Sequence, residues 1–106
     1  MYIFFDIDNT LISHKNKPHI PPETLEAINL LRESGHVPAI ATGRAGFLTM
    51  TAAKAFGIDY LVCAGGSEIF IAGKKIHTAF FPDEHLDSFR EIAARFPEIT
   101  AAAGEE

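Results

Sequence analysis

Residues 2–11 read YIFFDIDNTL, and this stretch decides the fold class. The apolar, aromatic-rich run from Tyr2 to Phe5 is typical of a strand that is buried on both faces of a sheet. The carboxylates of Asp6 and Asp8 follow directly, where that strand has to end. In open α/β sheets, active sites lie beyond the carboxyl ends of the strands. The stretch therefore predicts a polar site at the end of the first strand.

Strand and helix patterns alternate after this stretch. Further apolar strands are predicted at Val37–Ala41 and Tyr60–Cys63, and helices are predicted over residues 22–34 and 45–56, each followed by a glycine. Strands separated by helices imply right-handed crossovers and a parallel sheet that is covered on both faces. The predicted fold class is therefore α/β, with a doubly wound parallel sheet.

The second half of the chain has a different pattern. Residues 68–81 predict a β-hairpin that projects from the end of the third strand, with its turn at Ala72-Gly73-Lys74. An amphipathic helix is predicted over residues 83–95, and residues 99–103 resemble the start of another strand.

This pattern also predicts how the chain divides into domains. We expect residues 1–81 to form a partial core with its hairpin, and residues 82–106 to begin a cap domain that the chain leaves unfinished. The free side of the first strand would then be an exposed apolar edge.

Composition limits the classes of partner. The 106 residues are 47% hydrophobic and 22% charged, as in an ordinary soluble domain. The net charge of -5 and the lack of a Lys/Arg cluster argue against nucleic-acid binding. No apolar stretch approaches the ~20 residues that span a bilayer, and a single cysteine excludes an internal disulfide. We therefore expect a cytoplasmic protein that binds neither nucleic acid nor membrane.

The spacing of Asp6 and Asp8 suits phosphoryl-transfer chemistry. Both carboxylates can face the crevice, where a hard cation such as Mg²⁺ would offset their like charges and bridge to a phosphate oxygen. One carboxylate can attack phosphorus to form an aspartyl phosphate. The other can donate a proton to the leaving oxygen and later activate water. The alternative is that both are turn and N-cap residues.

The second and third strands also end in small or polar residues. Thr42-Gly43-Arg44 follows the second strand, and its hydroxyl group and the amides at the start of a helix can bind phosphate oxygens. Gly43 lets the backbone approach a ligand closely. Ala64 to Ser67 follow the third strand. The alternative for the second segment is a capped helix with a solvated arginine.

Two motifs carry a family resemblance. Asp6-Ile7-Asp8-Asn9-Thr10 and Ala41-Thr42-Gly43-Arg44 resemble the first two motifs of the haloacid dehalogenase (HAD) superfamily phosphatases. The resemblance is narrower to the Cof-type sugar-phosphatase branch, in which a cap domain is inserted after the third strand of a Rossmann-like core. It covers essentially the whole chain.

The resemblance implies roles for individual residues. Asp6 would be the nucleophile and Asp8 the general acid/base, with Mg²⁺ held by the Asp6 side chain and the Asp8 carbonyl. Thr42 would bind the transferring phosphoryl group, with Gly43 and Arg44 beside it.

The sequence also departs from the family pattern. Asn9 stands where the family usually has Gly, and Gly65-Gly66-Ser67 replaces a common Asn-Gly-Ala. The third motif, a Lys, and the fourth, an acidic pair, have no counterpart in the chain, and Lys54, Lys74 and Lys75 are poor substitutes. The five histidines lack metal-ligand spacing and are assigned to loops or the surface.

Two functions remain open from the sequence. The first is a Mg²⁺-dependent phosphatase of small phosphorylated metabolites, here a truncated chain, with a phosphomutase possible through the same chemistry. The second is a catalytically incomplete fragment that binds metal or phosphate, or self-associates through the exposed sheet edge. A response-regulator receiver fits poorly, because the third strand ends without a carboxylate.

Overall fold

A five-stranded sheet forms the framework of the molecule. The computed structural model describes residues 1–80 and 82–96, and the strands lie in the sheet in chain order. The parallel strands are β1 (Tyr2–Phe5), β2 (Val37–Ala41) and β3 (Tyr60–Cys63), followed by the antiparallel strands β4 (Glu68–Ile71) and β5 (Lys74–Thr78). The predicted α/β class is confirmed.

Three helices follow the predicted boundaries to within one residue: α1 (Pro22–Glu33), α2 (Gly46–Phe56) and α3 (Asp83–Ala94). A proline in the first turn of α1 starts the helix with its φ angle already fixed. Gly57 ends α2 in the left-handed conformation, with φ 64°. No helix in residues 1–80 and 82–96 is long and apolar enough to cross a membrane.

Helices α1 and α2 pack together against the same face of the sheet. Strands added in one direction by right-handed crossovers place successive helices on one side, which explains this arrangement. One buried cluster joins the first loop, both helices and the strands beneath them; it consists of Ile7, Leu11, Ile28, Ile40, Ala52, Ala53, Phe56, Ile58, Leu61, Cys63 and Phe70.

The prediction that β1 is buried on both faces is wrong. Ile3 and Phe5 are half-buried, whereas Tyr2 is 61% exposed and Phe4 is 57% exposed. The two helices cover only the face that Ile3 and Phe5 share. In the described part of the chain β1 is also an edge strand, with β2 as its single partner, so the predicted free edge is confirmed.

The sequence predicts a hairpin that projects from the end of the third strand, and this prediction is wrong. Strand β4 runs back along β3, with Tyr60 opposite Ile71 and Cys63 opposite Glu68, so the hairpin makes the sheet mixed. Residues 64–66 reverse the chain within one tight turn, which leaves β4 in hydrogen-bonding distance of β3. The second hairpin strand ends at Thr78, and Phe81 and residues 99–103 lie outside the described part.

Candidate active site

The loop after β1 is folded so that apolar and acidic residues point in different directions. Ile7 is fully buried and Leu11 is 1% exposed, and the amides of Leu11 and Ile12 both donate to the Ile7 carbonyl. These contacts anchor the loop in the core and leave Asp6 exposed and Asp8 half-buried. Asn9 has φ 62°, a left-handed conformation that Asn tolerates better than most residues, so it fits this turn of the loop without a glycine.

A shallow cavity lies where the carboxyl ends of β1, β2 and β3 meet. Its volume is about 500 Å³, and Asp6, Thr42 and Gly43 contribute to its wall. The complete lining is Phe4, Phe5, Asp6, Ala41, Thr42, Gly43, Val62, Gly65 and Gly66. The structure therefore brings three of the five predicted site residues to one cavity, at the edge of the sheet that the sequence indicated.

Asp8 and Arg44 form a separate cluster and do not line this cavity. The Arg44 guanidinium binds the Asp8 carboxylate through two nitrogens: Nε donates to Oδ2 at 2.9 Å, and Nη2 contacts Oδ1. His14 Nε2 lies 2.7 Å from the same Oδ1. The hydrogen bonds from Arg44 and then His14 lower the pKa of Asp8 from 3.8 to about 2, and the carboxylate raises the pKa of Arg44. Asp8 is therefore an ionised carboxylate in this arrangement.

His14 is the residue of this cluster that sequence reasoning missed. It was assigned to a loop or surface because no histidine has metal-ligand spacing. The loop curls back so that Ile12 pairs with Asp8, which returns His14 to the carboxylate six positions earlier. Only the closure of the loop brings the two side chains together, and no spacing rule predicts it.

The turn from β2 into α2 has most of its hydrogen-bonding groups already engaged. The Thr42 amide donates to the Val62 carbonyl, and the Arg44 amide donates to Thr42 Oγ1 at 3.1 Å. The Gly46 amide, the first of α2, donates to Glu68 Oε1 at 3.0 Å. The expectation that amides at the helix start are open to phosphate is therefore wrong for Gly46.

Asp6, which lines the cavity, and Asp8, two residues later in the same loop, each offer an oxygen ligand for a cation. The Asp6 carboxylate is exposed, and its Oδ1 accepts from the Ile7 amide at 2.8 Å. The Asp8 carboxylate is held by Arg44, but its backbone carbonyl accepts no hydrogen bond within the described residues. Carboxylate and carbonyl oxygens are suitable Mg²⁺ ligands. Residues 1–80 and 82–96 hold no group of three His, Cys, Asp or Glu side chains that suits a metal.

The lysines are placed away from the cavity. Lys75 Nζ lies 3.0 Å from Glu68 Oε2, and Lys54 is in the last turn of α2, at the end remote from Thr42. Neither lysine is among the residues that line the cavity. That these lysines are poor substitutes for the third motif of the family stays a prediction.

The fold and the site define an α/β protein whose acidic loop, after the first strand, faces a cavity shared with the next two strands. The chain belongs to the haloacid dehalogenase-like hydrolases, whose family model matches residues 3–104. Among curated proteins the comparison finds no match.

Solved structures agree with this assignment. A hypothetical protein from Geobacillus kaustophilus HTA426 has a TM-score of 0.78 and 34% identity, over 89% of this chain and 36% of that one. A HAD-superfamily phosphatase from Bacteroides thetaiotaomicron has a TM-score of 0.75 and 25% identity, over 91% and 35%. A HAD subclass IIB sugar phosphatase has a TM-score of 0.72 and 28% identity, over 89% and 37%. The chain spans about a third of the length of these relatives.

Proposed function

We propose that this chain carries the nucleophile-bearing part of a Mg²⁺-dependent phosphatase that hydrolyses small phosphorylated metabolites through an aspartyl phosphate. One observation carries the proposal: Asp6, Thr42 and Gly43 line the same cavity at the carboxyl ends of three adjacent strands. Membership of the hydrolase family supports it, as does the likeness to a subclass IIB sugar phosphatase. A phosphomutase would share this chemistry up to the phosphorylated aspartate.

Asp6 is suited to be the nucleophile. Its exposed carboxylate follows a strand end and faces the cavity, and one of its oxygens is fixed by the Ile7 amide. The free oxygen attacks phosphorus, the bond from phosphorus to the ester oxygen breaks, and an aspartyl phosphate forms. The Thr42 hydroxyl and the Gly43 amide orient the phosphoryl oxygens during this transfer.

Asp8 is suited to proton transfer. A protonated Asp8 donates to the leaving oxygen, and the resulting carboxylate takes a proton from the water that attacks the aspartyl phosphate. With Arg44 and His14 bound, the lowered pKa keeps Asp8 ionised, which suits the second step. The first step requires a protonated carboxyl, so both Arg44 and His14, which lower the pKa of Asp8, have to release it before that step.

The proposed cation would be held by residues of the loop after β1. The Asp6 carboxylate and the Asp8 carbonyl would hold Mg²⁺, which neutralises charge on the phosphoryl oxygens when it is bound. Other ligands would be water or groups beyond the described residues.

The remaining assignments belong to the same proposal. Residues 1–81 would be core with hairpin and residues 82–106 the start of a cap in a cytoplasmic enzyme. Helix α3 has no buried residue, and Phe89 and Ile92 are each 54% exposed. This apolar surface has no partner among the described residues, which supports the assignment of α3 to a different unit from the core.

The test is Mg²⁺-dependent phosphate release from a panel of small phosphate esters. We expect Asp6→Asn to reduce turnover on the order of a thousandfold or more, because the nucleophile is lost. Asp87→Asn is the matched control: Asp87 is an exposed aspartate on α3, paired with Arg90, and the variant should retain wild-type turnover. Measurable wild-type turnover that Asp6→Asn retains unchanged would exclude Asp6 as the nucleophile.

A second candidate function rests on a specific observation. The candidate is a catalytically incomplete fragment that binds Mg²⁺ or phosphate without turnover, through Asp6, Thr42 and Gly43, which line the cavity. The free edge of β1, with Tyr2 and Phe4 exposed, favours self-association of such a fragment. Absence of turnover in the wild type, together with concentration-dependent mass in sedimentation, would support this candidate over the enzyme.

A further inference from the structure

A buried carboxylate lies at the start of α2. Glu68 is only 7% exposed, its Oε1 accepts from the Gly46 amide at 3.0 Å, and its Oε2 lies 3.0 Å from Lys75 Nζ. Helix N-termini attract anions because their first amides are unpaired and the helix dipole is positive there. Glu68 therefore occupies the position that an external anion would take at α2.

The hairpin closes this position sterically as well. A Cβ atom at Gly46 would lie 2.5 Å from Phe70 Cε2 and 2.6 Å from Phe70 Cζ, so the ring covers the first residue of α2. Lys75 Nζ lies 5.7 Å from the centroid of the same ring. A phosphate that binds the Gly46 amide has to displace the Glu68 carboxylate, beside a residue whose Cβ side is already covered by the Phe70 ring.

The neighbouring amides of the turn differ in their availability. Those of Thr42 and Arg44 donate to protein oxygens, whereas those of Gly43 and Ala45 have no hydrogen-bond partner in the described part of the chain. Gly43 also lines the cavity that contains Asp6, and no atom lies within 4 Å of the position its Cβ would take. Of the two free amides, the one at Gly43 borders that cavity.

We propose that Glu68 is a positioning residue: it occupies the anion position at the start of α2 and thereby confines a bound phosphate to the Gly43 amide and the Thr42 hydroxyl. The inference rests on the proposed function, whose phosphate site it refines. Glu68 does not touch the phosphate in this arrangement. It acts by denying the phosphate a second position at the first amide of α2, three residues after Gly43.

The experiment is an amide NMR titration with inorganic phosphate and MgCl₂, on the whole chain. In the wild type we expect the Gly43 amide resonance to shift and that of Gly46 to stay unchanged. In Glu68→Ala the Gly46 amide should respond to phosphate, and its hydrogen exchange should accelerate about tenfold or more, because a charge-assisted hydrogen bond is lost.

Three further variants separate positioning from stability. Glu68→Gln keeps an acceptor oxygen for the Gly46 amide, and Lys75→Met keeps the Glu68 carboxylate. In both variants phosphate should therefore leave the Gly46 amide resonance unchanged. Arg32→Met removes hydrogen bonds at the opposite end of α2, where Arg32 Nη2 donates to the Phe56 and Gly57 carbonyls. It should lower stability without making Gly46 responsive.

The outcomes distinguish this inference from the proposed function. A phosphate-induced shift at Gly46 in the wild type overturns it, even if Glu68→Ala does not fold. It is also overturned if Gly46 in a folded Glu68→Ala variant does not respond to phosphate; a Gly43 amide that still responds would then leave the phosphate site of the proposed function standing. A silent Gly43 in the wild type overturns both the proposed phosphate site and the confinement of phosphate by Glu68.

Discussion

Replacing Gly46 by Ala should destabilise the protein, although alanine is the better helix former. Gly46 is the first residue of α2 and is buried beneath Phe70, whose side chain is 9% exposed and belongs to the main core cluster. The added methyl group would lie 2.5 Å from Phe70 Cε2 and 3.5 Å from Glu68 Oε1. Non-bonded carbon atoms prefer separations of about 3.5–4.0 Å, so the ring has to move by about 1 Å.

The expected magnitude follows from two opposing contributions. Forcing an extra methyl group into a packed core typically costs about 1–3 kcal/mol. Removing a glycine from a helix gains up to about 1 kcal/mol, and less at the first helical position. Their sum is a loss of about 1–2 kcal/mol in the free energy of unfolding.

Urea unfolding followed by far-UV circular dichroism measures this change. Gly43→Ala is the matched control: no atom lies within 4 Å of its added methyl group, so its stability should stay within about 0.5 kcal/mol of the wild type. In a Phe70→Leu background the smaller side chain leaves space, and Gly46→Ala should cost less than half as much. A Gly46→Ala protein as stable as wild type, or an equal cost in both backgrounds, would refute the steric argument.

Two further predictions concern Asp8 and Arg32. The pKa of Asp8 is lowered from 3.8 to about 2, so the ionised carboxylate stabilises the folded protein above pH 3.8, and this contribution is lost as the pH falls through 2. Over this interval Asp8→Asn should therefore lose less stability than the wild type, as measured by the urea midpoint at each pH. Midpoints that fall equally with pH in both proteins would contradict the Arg44 and His14 contacts. Arg32→Met removes hydrogen bonds of 2.7 and 3.1 Å to the carbonyls that end α2 and should cost about 1 kcal/mol, seen by calorimetry as a fall of about 4–8 °C in Tm. Arg90→Met, on exposed α3, is its control and should leave Tm unchanged.

Local sequence signals predicted the helices and strands well because residues within each element, or next to it, determine where it begins and ends. Pro22 fixes the first turn of α1, and Gly57 takes the left-handed conformation that ends α2. The three parallel strands have the predicted bounds. These features depend on residues that are close together in the chain, so tertiary contacts have little effect on the boundaries of the helices and strands.

The predictions that failed concern the environment of each element. Tyr2 and Phe4 are apolar enough to predict a strand that is buried on both faces. They are exposed because both helices cover the opposite face of the sheet. The sequence pattern of the hairpin is the same whether the hairpin projects from the sheet or joins it. Only the pairing of β4 with β3 shows that it joins the sheet. Hydrophobicity describes a side chain, whereas coverage depends on elements that are distant in sequence.

For the candidate site, the sequence likewise predicted which residues take part but not which contacts they make. The motifs indicated Asp6, Asp8, Thr42, Gly43 and Arg44, and the parallel order of the strands was enough to expect them at one edge of the sheet. Their catalytic roles stay predictions.

The sequence by itself determined the α/β class, the strand and helix boundaries, and the acidic loop after the first strand, because these follow from local periodicity and from motifs within a few residues. Only the tertiary structure decided that Arg44 and His14 bind Asp8, and that Glu68 closes the start of α2. The Arg44–Asp8 pair spans 36 positions and the Glu68–Gly46 pair 22. Such contacts are set by strand order and loop closure, which place charges together in space without leaving a spacing pattern in the chain.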